Sequence, residues 1–247
     1  MYLTIKGLVL RVSVYNDTDA LLTLLTHTHG KITVKARGLR RKNSPLTAPC
    51  QLLAYGEFTL FHNRDMYIIN EAHSIALFHA LRKDLQKLSL GTYFAQVAEV
   101  LCQEDMPTPE LLSLTLNCLH ALSELDLDEQ LVKAAFEFRS ACISGYTPDL
   151  SSCCHCGASS PDRLNLSEGH LECTNCRNPW EDGIRMPLSP GALDAMRYIC
   201  TCPVQKIFSF QLNEESLRCV RDAAESYLLT QLERGFSALD FYKSLFI

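Results

Sequence analysis

The chain has 247 residues, of which 47% are hydrophobic, and its formal net charge is −5 at pH 7. This composition is ordinary for a folded globular protein, and no apolar run is long enough to span a bilayer, so we expect no membrane partner. The first residues lack the basic start, apolar stretch and cleavage site of a signal peptide, which predicts a cytoplasmic protein with reduced cysteines.

The charge is distributed unevenly along the chain. Residues 1–80 contain nine Lys and Arg against five Asp and Glu, whereas residues 81–247 contain fourteen against twenty-three. A basic first third indicates that this part meets a polyanion, and the acidic remainder faces a different partner.

Residues 1–80 are predicted to form five β-strands. In the third strand, strict alternation places Ile32, Val34 and Ala36 on a buried face. Three consecutive hairpins followed by a longer crossing over residues 38–51 favour a small closed barrel of the OB type, with an SH3-like barrel as the alternative. The predicted strands cover residues 3–13, 19–27, 31–37, 52–62 and 66–72.

Basic side chains are concentrated on the exposed face of this barrel and in the loop after the third strand. Lys and Arg neutralise phosphates without reading base sequence, so the cluster predicts a DNA-binding groove. The alternative is a solvated strand face and turn. The predicted DNA-binding residues are Lys6, Arg11, Lys31, Lys35, Arg37, Arg40, Arg41 and Lys42.

Six aromatic residues of the barrel segment are available for base stacking. Since a small barrel must also be filled, core packing is the competing role, and the pattern does not assign either role to an individual ring. These residues are Tyr2, Tyr15, Tyr55, Phe58, Phe61 and Tyr67.

From about residue 74 the hydrophobic period changes to that of a helix. Thr108 and Asp128 are predicted to cap the second and third helices, Ser189-Pro190 opens another at 190–200, and Asn213 caps a long one. A last helix is expected at 237–246.

Two C-x2-C pairs interrupt this helical pattern. Cys153 and Cys156 are followed, after sixteen residues, by Cys173 and Cys176. This spacing predicts a four-thiolate Zn²⁺ site, which is structural because it leaves no open coordination position. A pair of disulfides and a redox C-x2-C are the alternatives to a metal site. If a metal is bound, Cys154, His155 or His170 could each replace one of the four thiolates.

The predicted fold class is therefore multidomain α+β. An OB-fold domain covers residues 1–80, an α-helical domain covers 81–150 and 183–247, and a C4 zinc finger is inserted at 151–182. Motifs of nucleotide hydrolysis, acyl transfer and zinc proteases are missing from the sequence, which predicts a protein that is not an enzyme and has no small-molecule substrate. A zinc-stabilised adaptor whose basic barrel binds an acidic protein is an alternative, and a metal-dependent hydrolase is another.

In this order, the motifs resemble the RecO family of bacterial recombination mediator proteins over nearly the whole chain. The resemblance is carried by Lys6-Gly7-Leu8-Val9-Leu10-Arg11, Leu24-Leu25-Thr26, Gly30-Lys31-Ile32, Lys35-Ala36-Arg37-Gly38, Arg40-Arg41-Lys42-Asn43-Ser44, the two C-x2-C pairs, Leu188-Ser189-Pro190-Gly191, Tyr227-Leu228 and Leu232-Glu233-Arg234.

The resemblance implies binding to single- and double-stranded DNA and annealing of complementary strands in the RecF pathway. It also implies cooperation with RecR in loading RecA onto single-stranded DNA covered by single-stranded DNA-binding protein (SSB), during gap and break repair. Family members recognise the acidic C-terminal tail of SSB, for which Lys133 and Arg139 are candidate contacts in this sequence.

Overall fold

Five strands at the start of the chain close into a barrel in the order β1-β2-β3-β5-β4. This arrangement is seen in a computed structural model that describes residues 2–63, 66–176 and 183–246. The β3–β5 pairing is parallel and the other four are antiparallel. The predicted OB-fold is confirmed, because an all-antiparallel SH3-like meander has no such pairing. The strands are β1 (Tyr2–Val14), β2 (Ala20–Thr26), β3 (Lys31–Ala36), β4 (Tyr55–Asn63) and β5 (Met66–Ala76).

The barrel interior follows from alternation along each strand. Ile32, Val34 and Ala36 are buried in one apolar cluster with Phe58 of β4 and Leu22 of β2, as the pattern of β3 predicts. Successive side chains of a strand point to opposite faces, so their neighbours on β3 point away from this core.

The crossing between β3 and β4 contains turns and no helix or strand. Gly38 opens it at a φ of +68°, a conformation that glycine adopts without strain. The crossing ends against β1, where the Leu53 N–H donates to the Val9 carbonyl and the Val9 N–H donates to the Ala54 carbonyl, both at 2.9 Å. These two bonds anchor the end of the crossing on β1.

Six α-helices follow the barrel in the described part of the chain. The side chains of Asp84, Asp128, Ser189 and Asn213 accept backbone N–H bonds at four helix starts, as N-caps do. Thr108 precedes its helix as predicted, but its buried hydroxyl has no hydrogen-bond partner among the described residues, so it does not cap the helix through its side chain. The helices are α1 (Leu85–Leu101), α2 (Pro109–Glu124), α3 (Glu129–Ile143), α4 (Pro190–Thr201), α5 (Glu214–Leu232) and α6 (Ser237–Ser244).

A second, small sheet surrounds the cysteine pairs. Its strand order is β6-β8-β7-β9, with β6 parallel to β8 and the other pairs antiparallel. Three of its strands have only three residues, too few to show an alternating pattern, and the sequence did not predict them. The strands are β6 (Asp149–Cys153), β7 (Arg163–Asn165), β8 (His170–Glu172) and β9 (Arg185–Pro187).

The chain packs as two compact units. One comprises Met1–Leu125 with Phe236–Ile247, and the other comprises Asp126–Gly235. The first unit contains the barrel with α1, α2 and α6; the second contains the small sheet with α3, α4 and α5. The predicted domain boundaries at residues 80, 150 and 182 stay a prediction, and residue 182 lies outside the described residues. None of the helices in the described ranges is long and apolar enough to cross a bilayer.

Candidate functional site

The four predicted metal ligands converge. The sulfur atoms of Cys153, Cys156, Cys173 and Cys176 all lie within 4.8 Å of one another, and the Cys156–Cys173 separation is 3.9 Å. Zn–S bonds of about 2.3 Å place the sulfurs of a tetrahedral site about 3.8 Å apart, so the cluster has the right size for one ion. No other group of three or more such ligands is found among the described residues, which leaves Cys154, His155 and His170 outside the cluster.

Backbone geometry shapes the first cysteine pair. The chain turns after Cys156 through Gly157, whose φ is +73°, and the Gly157 N–H donates to the Cys153 carbonyl at 2.9 Å. Although burial opposes ionisation, N–H groups of Cys156, His155 and Cys173 lower the pKa of Cys153 to about 6. This thiol is therefore ready to act as a thiolate ligand near neutral pH.

The two thiols of the second pair resist ionisation. Burial, together with the neighbouring sulfurs of Cys153 and Cys156, raises the pKa of Cys173 to about 12. The sulfur of Cys156 and burial raise the pKa of Cys176 to about 11. Four thiolates repel one another unless a cation lies between them, which is the electrostatic condition of a metal site.

Polar residues behind the cluster hold its strands in place. Glu172 of β8 is buried and accepts bonds from Arg185 Nε at 2.6 Å and Asn165 Nδ2 at 2.9 Å. Asp162 accepts the Thr174 N–H at 2.7 Å and so fixes the turn between Cys173 and Cys176. The sequence shows no motif for these residues, because their partners lie in other segments of the chain.

Two predicted DNA-binding cations on the barrel are held by helix α1. Arg11 Nε lies 2.9 Å from Glu99 Oε1, and Lys31 Nζ donates to the Glu99 carbonyl at 2.9 Å. Both side chains are thus tied to one residue at the end of that helix, and the charge of Arg11 is paired.

Two further predicted cations are held at the β1–β2 turn. Lys35 Nζ lies 3.0 Å from Asp19 Oδ2 and 4.2 Å from the centre of the Tyr15 ring, and Arg40 Nη1 donates to the Asn16 carbonyl at 2.7 Å. A bond from the Gly38 N–H, followed by the Lys35 ammonium, holds the pKa of the Asp19 carboxyl well below its usual range. Strand alternation predicts that Lys35 is available to bind a phosphate, but in the structure its charge is paired with Asp19.

The remaining four cations have no ion pair and no side-chain hydrogen bond within the described part of the chain. Lys6 lies on β1, Arg37 directly follows β3, and Arg41 and Lys42 lie in the loop after β3. All four side chains are exposed to solvent. These four are the positive charges that are available to a polyanion.

The two candidates for an acidic tail are not available. Lys133 is buried, with Nζ 2.8 Å from Glu137 and 2.7 Å from Glu225. Arg139 is also buried and donates to the carbonyls of Ile199 and Cys200. Both therefore serve the interior of the helical unit, and neither can receive a peptide carboxylate at the surface.

Comparisons with known proteins match both parts of the chain. Residues 1–78 match the family model described as Recombination protein O N terminal, and residues 82–240 match Recombination protein O C terminal. The chain is 33% identical over 247 residues to DNA repair protein RecO of Acetivibrio thermocellus, covering 99% of this chain and 97% of that one. It is 28% identical to the protein of that name from Alkaliphilus metalliredigens, covering 99% and 100%, and 26% identical to that of Bacillus subtilis, covering 90% and 86%.

Proposed function

Because the chain belongs to the RecO family of DNA repair proteins, we propose that it is a DNA-binding and strand-annealing recombination mediator. One observation carries the proposal: the OB barrel presents Lys6, Arg37, Arg41 and Lys42 without ion partners among the described residues. Cations of this kind hold phosphates and leave the bases free to pair with a complementary strand.

We propose that the four-cysteine cluster binds Zn²⁺ in a structural role. Support comes from the all-sulfur ligand set and from sulfur spacings that suit a tetrahedral ion. When bound, the ion would join the β6 turn to the segment after β8 and would offer no open position to a substrate. We accordingly propose that the protein is not an enzyme.

We propose that the protein acts in the cytoplasm, at the nucleoid during repair, with RecR and with the C-terminal tail of SSB as protein partners. In this role it helps to load RecA onto SSB-coated single-stranded DNA in the RecF pathway. Family membership supports these partners, and the acidic charge of residues 81–247 distinguishes the protein-facing part of the chain from the basic barrel.

The salt dependence of DNA binding tests the proposal. The double variant Arg41→Ala/Lys42→Ala should bind a labelled single-stranded oligonucleotide more weakly. The slope of log affinity against log salt should fall in magnitude by about 1.4, because each phosphate contact contributes about 0.7 on a single strand. Lys83→Ala/Lys206→Ala removes the same charge elsewhere and should leave the slope unchanged.

Two results would contradict the assignment. An unchanged slope in Arg41→Ala/Lys42→Ala would remove the loop from the DNA interface. Wild-type protein that binds no oligonucleotide at moderate salt, but does bind an acidic protein, would favour the adaptor function instead.

A further inference from the structure

An aromatic row crosses the outer surface of the barrel. Tyr2 of β1 pairs in register with Phe61 of β4, Phe61 pairs with Ile68 of β5, and Ile68 pairs with Lys35 of β3. Residues that are paired in register share one face of a sheet. Their strand neighbours Leu60 and Ile69 belong to the barrel core, so the row faces outward.

The two rings of this row remain open to solvent. Tyr2 is 62% exposed and Phe61 is 38% exposed, and their ring centres lie 5.4 Å apart with planes inclined at 50°. Large aromatic side chains are usually covered in a folded protein, so an exposed pair on one surface indicates a contact site.

A hollow of about 290 Å³ lies against these rings. Arg37, Asn63 and Asn70 are its polar lining residues, and Ile68 of β5 lines it from the outward-facing row. No acidic side chain lines it among the described residues. Among the residues that the structure describes, the hollow therefore combines apolar and aromatic side chains, amide groups and one positive charge, with no negative charge that would repel a phosphate.

Arg37 is the cation best placed to serve this hollow. It follows directly after β3, is exposed, and has no ion pair within the described part of the chain, whereas its strand neighbour Lys35 is held by Asp19. A guanidinium binds phosphate oxygens in pairs and can also stack on a ring. The charge thus complements an anionic ligand that carries a planar group.

We propose that this hollow, here called the Tyr2–Phe61 site, binds one base of a single DNA strand on the two rings, with Arg37 contacting the adjoining phosphate. The inference rests on the proposed DNA-binding function and adds a stacking contact to it. Bases in a duplex are already stacked on each other, so only an unpaired base can enter. The site gives the barrel a preference for single strands that phosphate contacts alone do not supply.

The test compares two oligonucleotides with the same phosphates. One is a twenty-nucleotide thymidine strand, and the other is a strand of equal length made of abasic sugars. Stacking contributes roughly 1–3 kcal/mol per base, which corresponds to about 5–150-fold in affinity. Wild-type protein should prefer the thymidine strand by a factor in this range, and Tyr2→Thr/Phe61→Thr should abolish that preference while keeping its affinity for the abasic strand.

Three matched variants complete the design. Tyr2→Phe/Phe61→Tyr keeps two rings and should retain the preference, and Phe241→Ala removes an exposed ring of α6 and should also retain it. Arg37→Gln should reduce the salt slope by about 0.7 with both strands. If the double Thr variant unfolds, shown by its thermal melt, the single variant Tyr2→Thr replaces it and should lower the preference.

The outcomes separate the inference from the function on which it rests. Loss of all oligonucleotide binding in the wild-type protein would overturn the proposed function. Salt-dependent binding with equal affinity for the thymidine and abasic strands would overturn only the Tyr2–Phe61 site. Retention of the preference in a folded Tyr2→Thr/Phe61→Thr variant would also overturn it, and this is the result expected if the hollow binds an acidic peptide. An equal loss of affinity for both strands would overturn it as well, because the rings would then support phosphate contacts and not a stacked base.

Discussion

The ammonium nitrogen of Lys133 lies 2.8 Å from Oε1 of Glu137, one turn further along α3, and both side chains are closed off from water. Glu225 of α5 approaches the same nitrogen to 2.7 Å. Burial opposes the charged form, but the carboxylates of Glu137 and Glu225 raise the pKa of Lys133, so the lysine remains protonated. This cluster joins α3 to α5. It also pairs the charge of Lys133, which was predicted to contact an acidic tail.

Removal of this lysine should be strongly destabilising. In Lys133→Met the carboxylate of Glu137 is left buried without its cation, and breaking a buried ion pair costs about 3–5 kcal/mol. Urea unfolding followed by circular dichroism measures the loss. The triple variant Lys133→Met/Glu137→Leu/Glu225→Gln removes all three charges and should recover most of the stability. A loss below about 1 kcal/mol in the single variant would contradict the role given to this cluster.

The cysteine cluster should bind one metal ion per chain. Cys156→Ser and Cys176→Ser should each lower the metal content measured by elemental analysis, and their thermal transitions should fall, because the turns of the small sheet lose their common centre. Cys154→Ser is the matched control and should keep its metal. The salt slope of DNA binding should not change in any of them. Chelation that abolished DNA binding while the fold stayed intact would show that the metal belongs to the DNA-binding function.

Asp19 should contribute a pH-dependent part of the stability. Its folded pKa lies below its unfolded value of 3.8, so its contribution is fully present above that value and is lost as the pH falls below it. Asp19→Asn should therefore melt at a lower temperature than the wild type at pH 7, and the difference should shrink as the pH is lowered through 4 towards 3. Asp17→Asn removes a charge from the same turn and should melt like the wild type. A difference that stayed constant with pH would rule out the ion pair as its cause.

The hairpin between β2 and β3 should not tolerate a side chain at its glycine. Gly30 has a φ of +60°, and an added Cβ would lie 2.2 Å from the Met106 carbonyl oxygen. Gly30→Ala should therefore cost more than the roughly 1–3 kcal/mol of the backbone conformation alone. Gly38→Ala is the control, since φ is +68° there and the nearest atom, on the Arg41 side chain, is at 3.4 Å. Equal losses of unfolding free energy in the two variants would show that the contact with Met106 is unimportant.

Local patterns were enough to predict the barrel, the helices and the cysteine cluster. Alternation in β3 assigned Ile32 and Val34 to the core, and the buried faces agree. Asp128 and Asn213 mark helix starts because a cap depends on only three or four neighbouring residues. The cysteine spacing is equally local, so it could be recognised without knowledge of the fold.

Features that depend on distant residues could not be predicted in this way. The pairing of Arg11 with Glu99, and of Lys35 with Asp19, follows from the closure of the barrel and from how α1 lies on it. The aromatic row requires the registers of β1, β4 and β5, and strand alternation does not give the register between strands. Lys133 was predicted to contact an acidic tail because the helical pattern of α3 does not show that Glu225, in a different helix, is its partner.

The division of the chain has a consequence for its synthesis on the ribosome. Phe236 packs edge-on against Tyr93 of α1 at 5.5 Å, and the Ala238 N–H donates to Gln96, so the barrel unit is completed by α6. All of Asp126–Gly235 is translated before α6. The sequence of the second unit is therefore complete before that of the barrel unit. Until α6 is made, the face of α1 that binds α6 stays uncovered. A nascent chain stalled before Phe236 should therefore be the form that chaperones bind, through the exposed ring of Tyr93.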